Sequence, residues 1–501
     1  MIIAFKFNYT NKNNFLAYFL EFYAKKSSLS YSITKEGDIL TLFVEGEEKD
    51  LLKFSDESMI LIPNSIFLQK SEVEVVDEMP NTNIEIPNSS FSNLTPSVVK
   101  NYVNHTENLK NEYNIFSEIS ILKDNEFIKI DEKNYKELLE FCFLNLLHNK
   151  TLLLKDGNNN ELYFESGVNF KANYLMPTSF KSISSLFIAD EKSLIALSSY
   201  EKPLINLKIN AVFRKNHENA PAFFDIKAAS DFFIFALLDR LYEENINFVS
   251  VKSQILIKAS ILDDEILVTN NNLFLSSNEK LILEKNRYSN LSKFGLICDE
   301  YNSFNDKNLN IYLTKFGMDN VTLYQNNNSI NFLKFSEFKS YDEIKEAIIK
   351  DEIGKKLFEN FTKKYNFPNG EINNSQSFYA IFDVSSKILF GKDASYLITN
   401  AKDFIGKKGP SIDYLISNSK FDTIKLIKSA MSFKLAGVSD KILSFGIVQS
   451  LAYFLSDFSD DLEFDNAFLT GDLFEERLIS NLILNVFSKN KSVKFSKYFG
   501  V

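Results

Sequence analysis

Over the first 77 residues the apolar period switches from two to about 3.6 and back, twice, and few folds accommodate that pattern. Alternation predicts strands at Ile2–Phe7, Ser30–Lys35, Ile39–Glu45 and Glu72–Val76, and helical spacing predicts helices at Asn14–Lys25 and Glu47–Phe54. A turn at Glu36-Gly37-Asp38 joins the second strand to the third, glycine supplying the backbone freedom that a tight reversal needs. The order βαββαβ is that of a split-βαβ sandwich of the ferredoxin-like kind.

Such a unit uses a small part of a 501-residue chain, so further domains follow it. From about residue 77 to 111 the chain includes MPNTNIEIPNSSFSNLTPS, rich in Pro, Asn and Ser with little periodicity, and reads as a linker. Asn93-Leu94-Thr95 fits a glycosylation acceptor, and an exposed linker accounts for it without a secretory context. The helical run YKELLEFCFLNLLHNK then leads into the strand TLLLK, the polar turn KDGNNN and the strand ELYFE. Later come SLIALSSYEKPLINLKI, the apolar helix FFIFALLDRLYEE and the strand NFVSVKS, an alternation that predicts an α/β domain. After Gln254 the runs ILIKAS, EILVTN, LFLS, LILEK, LNIYLTKF and VTLYQ predict strands, with helices dominating from Asp342 onward.

Charge and cysteine usage exclude several functions. Lys and Arg number 56 against 66 Asp and Glu, a net charge of −10, so no broad positive field attracts nucleic acid or an anionic membrane. Cys142 and Cys298 are the only cysteines, too few for a disulfide framework or a zinc site made of four thiolates. The start, MIIAFKFNYTNKNN, lacks a basic leader region, and nowhere do 18 apolar residues run uninterrupted, so a cytoplasmic protein is expected.

The stretch LTGDLFEERLISNLILNV, 469–486, reads as a strand end, a turn on Thr470-Gly471-Asp472, and a helix with Leu473, Leu478, Leu482 and Leu484 at its apolar positions. A strand, a small turn and a helix start together present free N–H groups to an anion such as phosphate. Asp472 brings a negative charge to that place. It fits instead an N-cap or first-turn acid, near the N–H groups of the turn that follows and with no cation beside it. The adjacent Asp263 and Asp264 point to opposite faces if they lie in a strand, and Asp383 sits in a helix lined by Phe382, Ile388 and Leu389; structural roles are expected for all three.

Several ordered segments resemble one family, the HypF carbamoyltransferases that help make the cyanide ligands of nickel–iron hydrogenases. LTGDLFEERLISNLIL is similar to that family's L-S-G-G-V-F-Q-N-R-L-L-x-x-x-L, with Leu469, Gly471, Phe474, Arg477 and Leu478 in place. NNSQSFYAIFDVSSKILFGKDASYL resembles S-S-x-G-R-L-F-D-A-x-A-A-L-L-G followed by S-Y-E-G-Q-A. INFLKFSEFKSYDEIKEAI and ILDDEILVTNNNLFLSSNEKLILEKNRY resemble two further terminal-domain segments. In the middle of the chain, LLHNKTLLLKDGNNNELYFE and SLIALSSYEKPLINLK resemble YrdC-like segments, and the first 77 residues match the acylphosphatase-like domain in order and length.

The resemblance implies an α/β and α+β multidomain chain: an acylphosphatase-like domain over 1–77, a linker over 78–130 in place of zinc fingers, a YrdC-like domain over 131–255, and a truncated actin-like, carbamoyltransferase-type domain over 256–501. It also implies what has been lost. NYTNKNNFLAY has neither the glycine nor the arginine of an acylphosphatase cradle. Of the YrdC-like phosphate turn Lys155 and Gly157 remain, and of the terminal one Gly471, with Asp472 in place of the second glycine. These four are the candidate nucleotide-binding residues, as relics. No catalytic residue or metal ligand is expected: the family's His-rich segment and F-D-G-T-G-Y-G loop have no counterpart between about residues 350 and 373, and His105, His148 and His217 lie elsewhere. The expectation is a HypF-like pseudoenzyme of hydrogenase maturation that binds maturation factors or hydrogenase subunits and needs no cofactor. The alternative is an ATP-dependent carbamoyltransferase with residual activity in its C-terminal domain.

Overall fold

A computed structural model describes residues 1–87, 118–131, 133–217, 220–254, 257–262, 266–269, 275–287, 289–325, 328–487 and 493–496. Most of the linker, His105, Asn93 and the Asp263-Asp264 pair lie outside the described residues. The chain divides into two compact units, Met1–Ser276 and Ser277–Ser496.

The first unit opens with β1 (Ile2–Tyr9), α1 (Phe15–Ser27), β2 (Ser30–Glu36), β3 (Ile39–Glu45), α2 (Glu48–Glu57) and β4 (Leu68–Val76). They form an antiparallel sheet in the order β2-β3-β1-β4. Alternation does the work: Phe5, Phe7, Leu40, Leu42 and Val44 are buried toward the helices, where Phe5 meets Phe54 of α2 edge to face at 5.8 Å. The larger sheet of this unit begins with Ile266–Thr269 at one edge and runs through Lys258–Ile261, Leu204–Ile209, Phe223–Ile226 and Tyr174–Pro177. It continues through Phe248–Lys252, Glu161–Ser166, Leu152–Lys155 and Ser120–Lys123 to Glu126–Lys129 at the other edge. Helices Tyr135–Leu147 and Phe232–Glu243 bury Leu138, Cys142, Phe233 and Leu237 in its core. The sequence-drawn boundary at 255/256 falls between two strands of this sheet.

The two sheets meet within the unit around Tyr200-Glu201-Lys202. The Tyr9 hydroxyl pairs with that of Tyr200 at 2.8 Å, Ser65 donates to Glu201, and Ile66 N–H donates to the same carboxylate at 3.2 Å. The NYTNKNN loop between β1 and α1 is filled by its own groups: Asn11 is fully buried, its side chain accepts from Asn13 N–H at 2.8 Å, and its carbonyl accepts from the Lys35 ammonium.

The second unit starts with a correction. LILEK, expected as a strand, ends the helix Ser277–Lys285. Buried Glu279 and Leu283 lie four residues apart on one helical face, while Leu281 and Ile282 are exposed. Numbered one to five in chain order, the strands Asn308–Tyr312, Asn320–Gln325, Asn328–Asn331, Asn466–Thr470 and Val493–Lys494 form a sheet in the order 3-2-1-4-5. The first three are antiparallel and the last two run parallel to the first. Helices Phe378–Phe390, Ala394–Asp403, Thr423–Leu435 and Asp440–Asp460 pack together in this unit. Asp440–Asp460 is long and apolar enough to cross a membrane, yet 78% of its most apolar window is buried inside the fold, as a core helix would be.

Candidate functional site

Asn308–Tyr312 and Asn466–Thr470 are parallel neighbours with Tyr312 opposite Thr470, so the loops that leave their carboxyl ends emerge side by side. In open α/β sheets that is where ligands bind. One loop is Leu313–Asp319 and the other is the Gly471 turn.

Gly471 is held by backbone contact. Its φ is 107°, and a Cβ there would lie 2.0 Å from the carbonyl oxygen of Leu313, whose own N–H donates to Thr470 O at 2.9 Å. The chain then makes a 3-10 turn, Asp472–Glu475, before the helix Arg477–Phe487. Asp472 is a first-turn acid, one of the two places expected for it, but it is no N-cap: no side chain caps the 3-10 turn, and Asp472 reaches across to accept from Lys315 N–H at 2.6 Å. The Asp472 charge also acts on both Lys293 and Lys315. The separate turn also shifts the helical phase: Ile479, Ile483 and Phe487 line the buried face, while Leu478, Leu482 and Leu484 are half-buried.

The opposite loop is closed the same way. Asp319, 2% exposed, accepts from Thr314 N–H at 2.7 Å and from Phe378 N–H at 2.6 Å, the latter at the start of the helix Phe378–Phe390. Ser377 caps that helix through Ala380 N–H, and Thr314 Oγ1 accepts from Phe316 N–H at 3.1 Å. The N–H groups of Thr314, Lys315, Phe316, Phe378 and Ala380 are therefore already bonded to the chain's own oxygens. Burial pushes the Asp319 carboxyl up to about 8, against the two N–H bonds that favour its charge; the Asp472 charge adds to the rise.

Beneath the turn lies an ion network. The Lys315 ammonium stands 3.1 Å from Glu476 and 3.6 Å from Glu475, and Lys402 also pairs with Glu476. Burial opposes ionisation of Glu476, but Lys402 and Lys315 outweigh it and hold the carboxyl down to about 2. Sequence reasoning missed Lys315, Asp319, Lys402 and Glu476. The run LNIYLTKF, expected as a strand, places Lys315 inside it, whereas the observed strand ends at Tyr312 and leaves Lys315 in the loop with Asp319.

Lys155 and Gly157 occupy another turn, in the first unit. Lys155 ends its strand with its ammonium 3.9 Å from the ring centroid of Phe127 and 4.0 Å from Glu161. The turn is closed by Asp156, which accepts from the N–H groups of Asn158 and Asn160, each at 2.9 Å, and from the Asn160 amide at 3.0 Å. Gly157 lies against the Glu118 carboxylate, 2.2 Å from where its Cβ would be. The structure thus brings Gly471 and Asp472 together and Lys155 and Gly157 together, as two separate turns.

The remaining candidates make local contacts. Asp383 accepts from Ala394 N–H at 3.1 Å and pairs with Lys387 at 2.7 Å. His148 and His217 each contact the carbonyl four residues earlier, and His217 stacks on Phe213. A cleft of about 530 Å³ beside α1 and α2, lined by Tyr23, Lys26, Asp50, Lys53 and Glu57 among others, touches neither turn.

This architecture, mixed α/β and multidomain, is a HypF-like fold. The chain is similar over 99% of its length to full-length HypF in its phosphate- and nucleotide-bound form, with a TM-score of 0.57, and to HypF of T. kodakarensis, with a TM-score of 0.63. In each case the identity is 10% and 96% of that chain is covered. Among proteins of known sequence, Protein HydE of Wolinella succinogenes is 24% identical, across 99% of this chain and 98% of its own. No protein-family model matches the chain.

Proposed function

We propose that this chain is a non-catalytic, HypF-like accessory protein of nickel–iron hydrogenase maturation, acting in the cytoplasm by binding hydrogenase maturation factors or hydrogenase subunits. The observation that carries the non-catalytic reading is the pair of carboxylates, Asp319 and Asp472, bonded to the loop N–H groups of Thr314, Lys315 and Phe378. A nucleotide phosphate would have to displace a buried acid and meet the charge of Asp472. The hydrogenase reading draws on the HypF-like fold and on the likeness to Protein HydE. Within this reading residues 1–77 are acylphosphatase-like, 78–130 a linker, 131–255 YrdC-like and 256–501 a truncated carbamoyltransferase-type domain. Lys155, Gly157, Gly471 and Asp472 are relics of nucleotide sites.

Deleting the gene and assaying hydrogen uptake tests the pathway, and loss of uptake restored by the native gene is expected. Calorimetry with ATP and magnesium tests the absence of catalysis. No heat of binding is expected up to millimolar ATP, whereas micromolar affinity would return the chain to the ATP-dependent carbamoyltransferases.

A further inference from the structure

The four-stranded sheet has two edges, and they are treated differently. At the β2 edge the chain covers itself: Thr82 Oγ1 accepts from Ile33 N–H at 3.1 Å, Asn83 Oδ1 accepts from Lys35 N–H at 2.9 Å, and Asn83 N–H donates to Ile33 O at 3.3 Å. At the other edge no described strand pairs with β4 beyond its partner β1, and every residue from Gln69 to Val75 is exposed. A nine-residue edge strand left open is a template for another strand.

The side chains of β4 say what kind of strand fits. Phe5 is opposite Val73 and Ile3 opposite Val75, so both valines stand on the face where Phe5 packs on α2, yet they are 61% and 66% exposed. On the other face Lys6 pairs with Glu74 at 2.5 Å and Lys70 with Glu72, and Asp77 and Glu78 extend the acidic end. Hydrogen bonding from Lys70 holds the Glu72 carboxyl below its usual range, so this carboxylate stays charged.

A second copy fits this edge poorly. Antiparallel self-pairing centred on Val73 sets Glu72 against Glu74, and centring on Glu72 sets that carboxylate against its own copy. Centring on Ser71 matches Lys70 to Glu72 but sets Val73 against Gln69. A strand alternating aliphatic and basic residues satisfies both faces at once. We propose that the open edge of β4 is a docking strip for an extended segment of a partner protein that alternates aliphatic and basic residues, added as a fifth strand. This deepens the protein-binding reading above, on which it rests.

The test is fluorescence anisotropy with the full chain and a labelled synthetic peptide of alternating valine and lysine. Binding is expected, weakened at least about tenfold by Val73→Lys with Val75→Lys and by methylating every peptide N–H. Glu72→Lys with Glu74→Lys should move preference to a valine–glutamate peptide. Equal binding of the basic and acidic peptides to the native chain, indifference to N-methylation, or no binding at millimolar peptide would each overturn the proposal. So would a dimer in sedimentation velocity that Val73→Lys dissolves, which would assign the edge to a second copy. No hydrogenase component enters this assay, so its failure would leave the hydrogen-uptake result standing, and the reverse.

Discussion

The turn at Asp156–Asn160 and the turn at Gly471–Glu475 end strands in different units, and in both an aspartate accepts from main-chain N–H. They differ in reach. Asp156 closes its own turn, accepting from residues two and four positions ahead. Asp472 bonds to Lys315, 157 residues away, while Asp319 draws the start of the helix Phe378–Phe390 onto the facing loop. A local turn can be disturbed alone, whereas the Gly471 turn ties two loops and a helix start together. Substitutions at equivalent places should therefore cost more in the second unit than in the first.

The largest difference is expected at the glycines. Gly471→Ala places a Cβ against the immovable Leu313 carbonyl at a φ of 107° and should lower unfolding stability by about 3 kcal/mol or more. Gly157→Ala meets no backbone but the Glu118 side chain, whose carboxylate can swing away and whose Cβ lies 3.1 Å off, and should cost roughly 1 kcal/mol or less, both read by denaturant midpoints. Equal costs would end the comparison.

Acid dependence comes next. Glu476 has a folded pKa of about 2, below that of an unfolded glutamate, so its contribution is present above about pH 4.3 and is lost as pH falls through 2. Its loss is worth roughly 2–3 kcal/mol and should vanish in Glu476→Gln. Asp319 has the opposite sign: with a folded pKa of about 8, it favours the folded state below about pH 4 and loses that contribution as pH rises to 8. Asp319→Asn should flatten that decline in a series of midpoints from pH 4 to pH 8.

Smaller effects are expected from the two aspartates. Asp472→Ala leaves the half-buried Lys315 N–H without its acceptor and should cost about 1–2 kcal/mol. Asp156→Ala exposes the N–H groups of Asn158 and Asn160 to water at a cost of about 0.5–1 kcal/mol. Amide hydrogen exchange sharpens the contrast: protection should fall at Lys315 in the first variant and only within residues 156–160 in the second.

The βαββαβ order of the first 77 residues was legible because each element declares itself through its own neighbours in sequence: strand alternation and helix spacing act over two to four residues. The paired glycines and acids were legible as turns for the same reason. LILEK was misread because a short apolar run fits a strand and a buried helix equally until its neighbours are known. The phase of the last helix failed because the 3-10 turn before it is set by contacts of Leu473 and Gly471 with Leu313.

By itself the sequence determined which stretches alternate, where the chain turns, and that an aspartate stands beside Gly471. What Asp472 bonds to, which lysines hold Glu476 ionised, and which edge of the first sheet stays open were decided only by the tertiary structure. Those depend on a parallel strand pairing between Asn308–Tyr312 and Asn466–Thr470 and on where the segment after β4 returns to cover β2. Pairing between distant segments is selected by the burial of whole faces, and no local spacing records it.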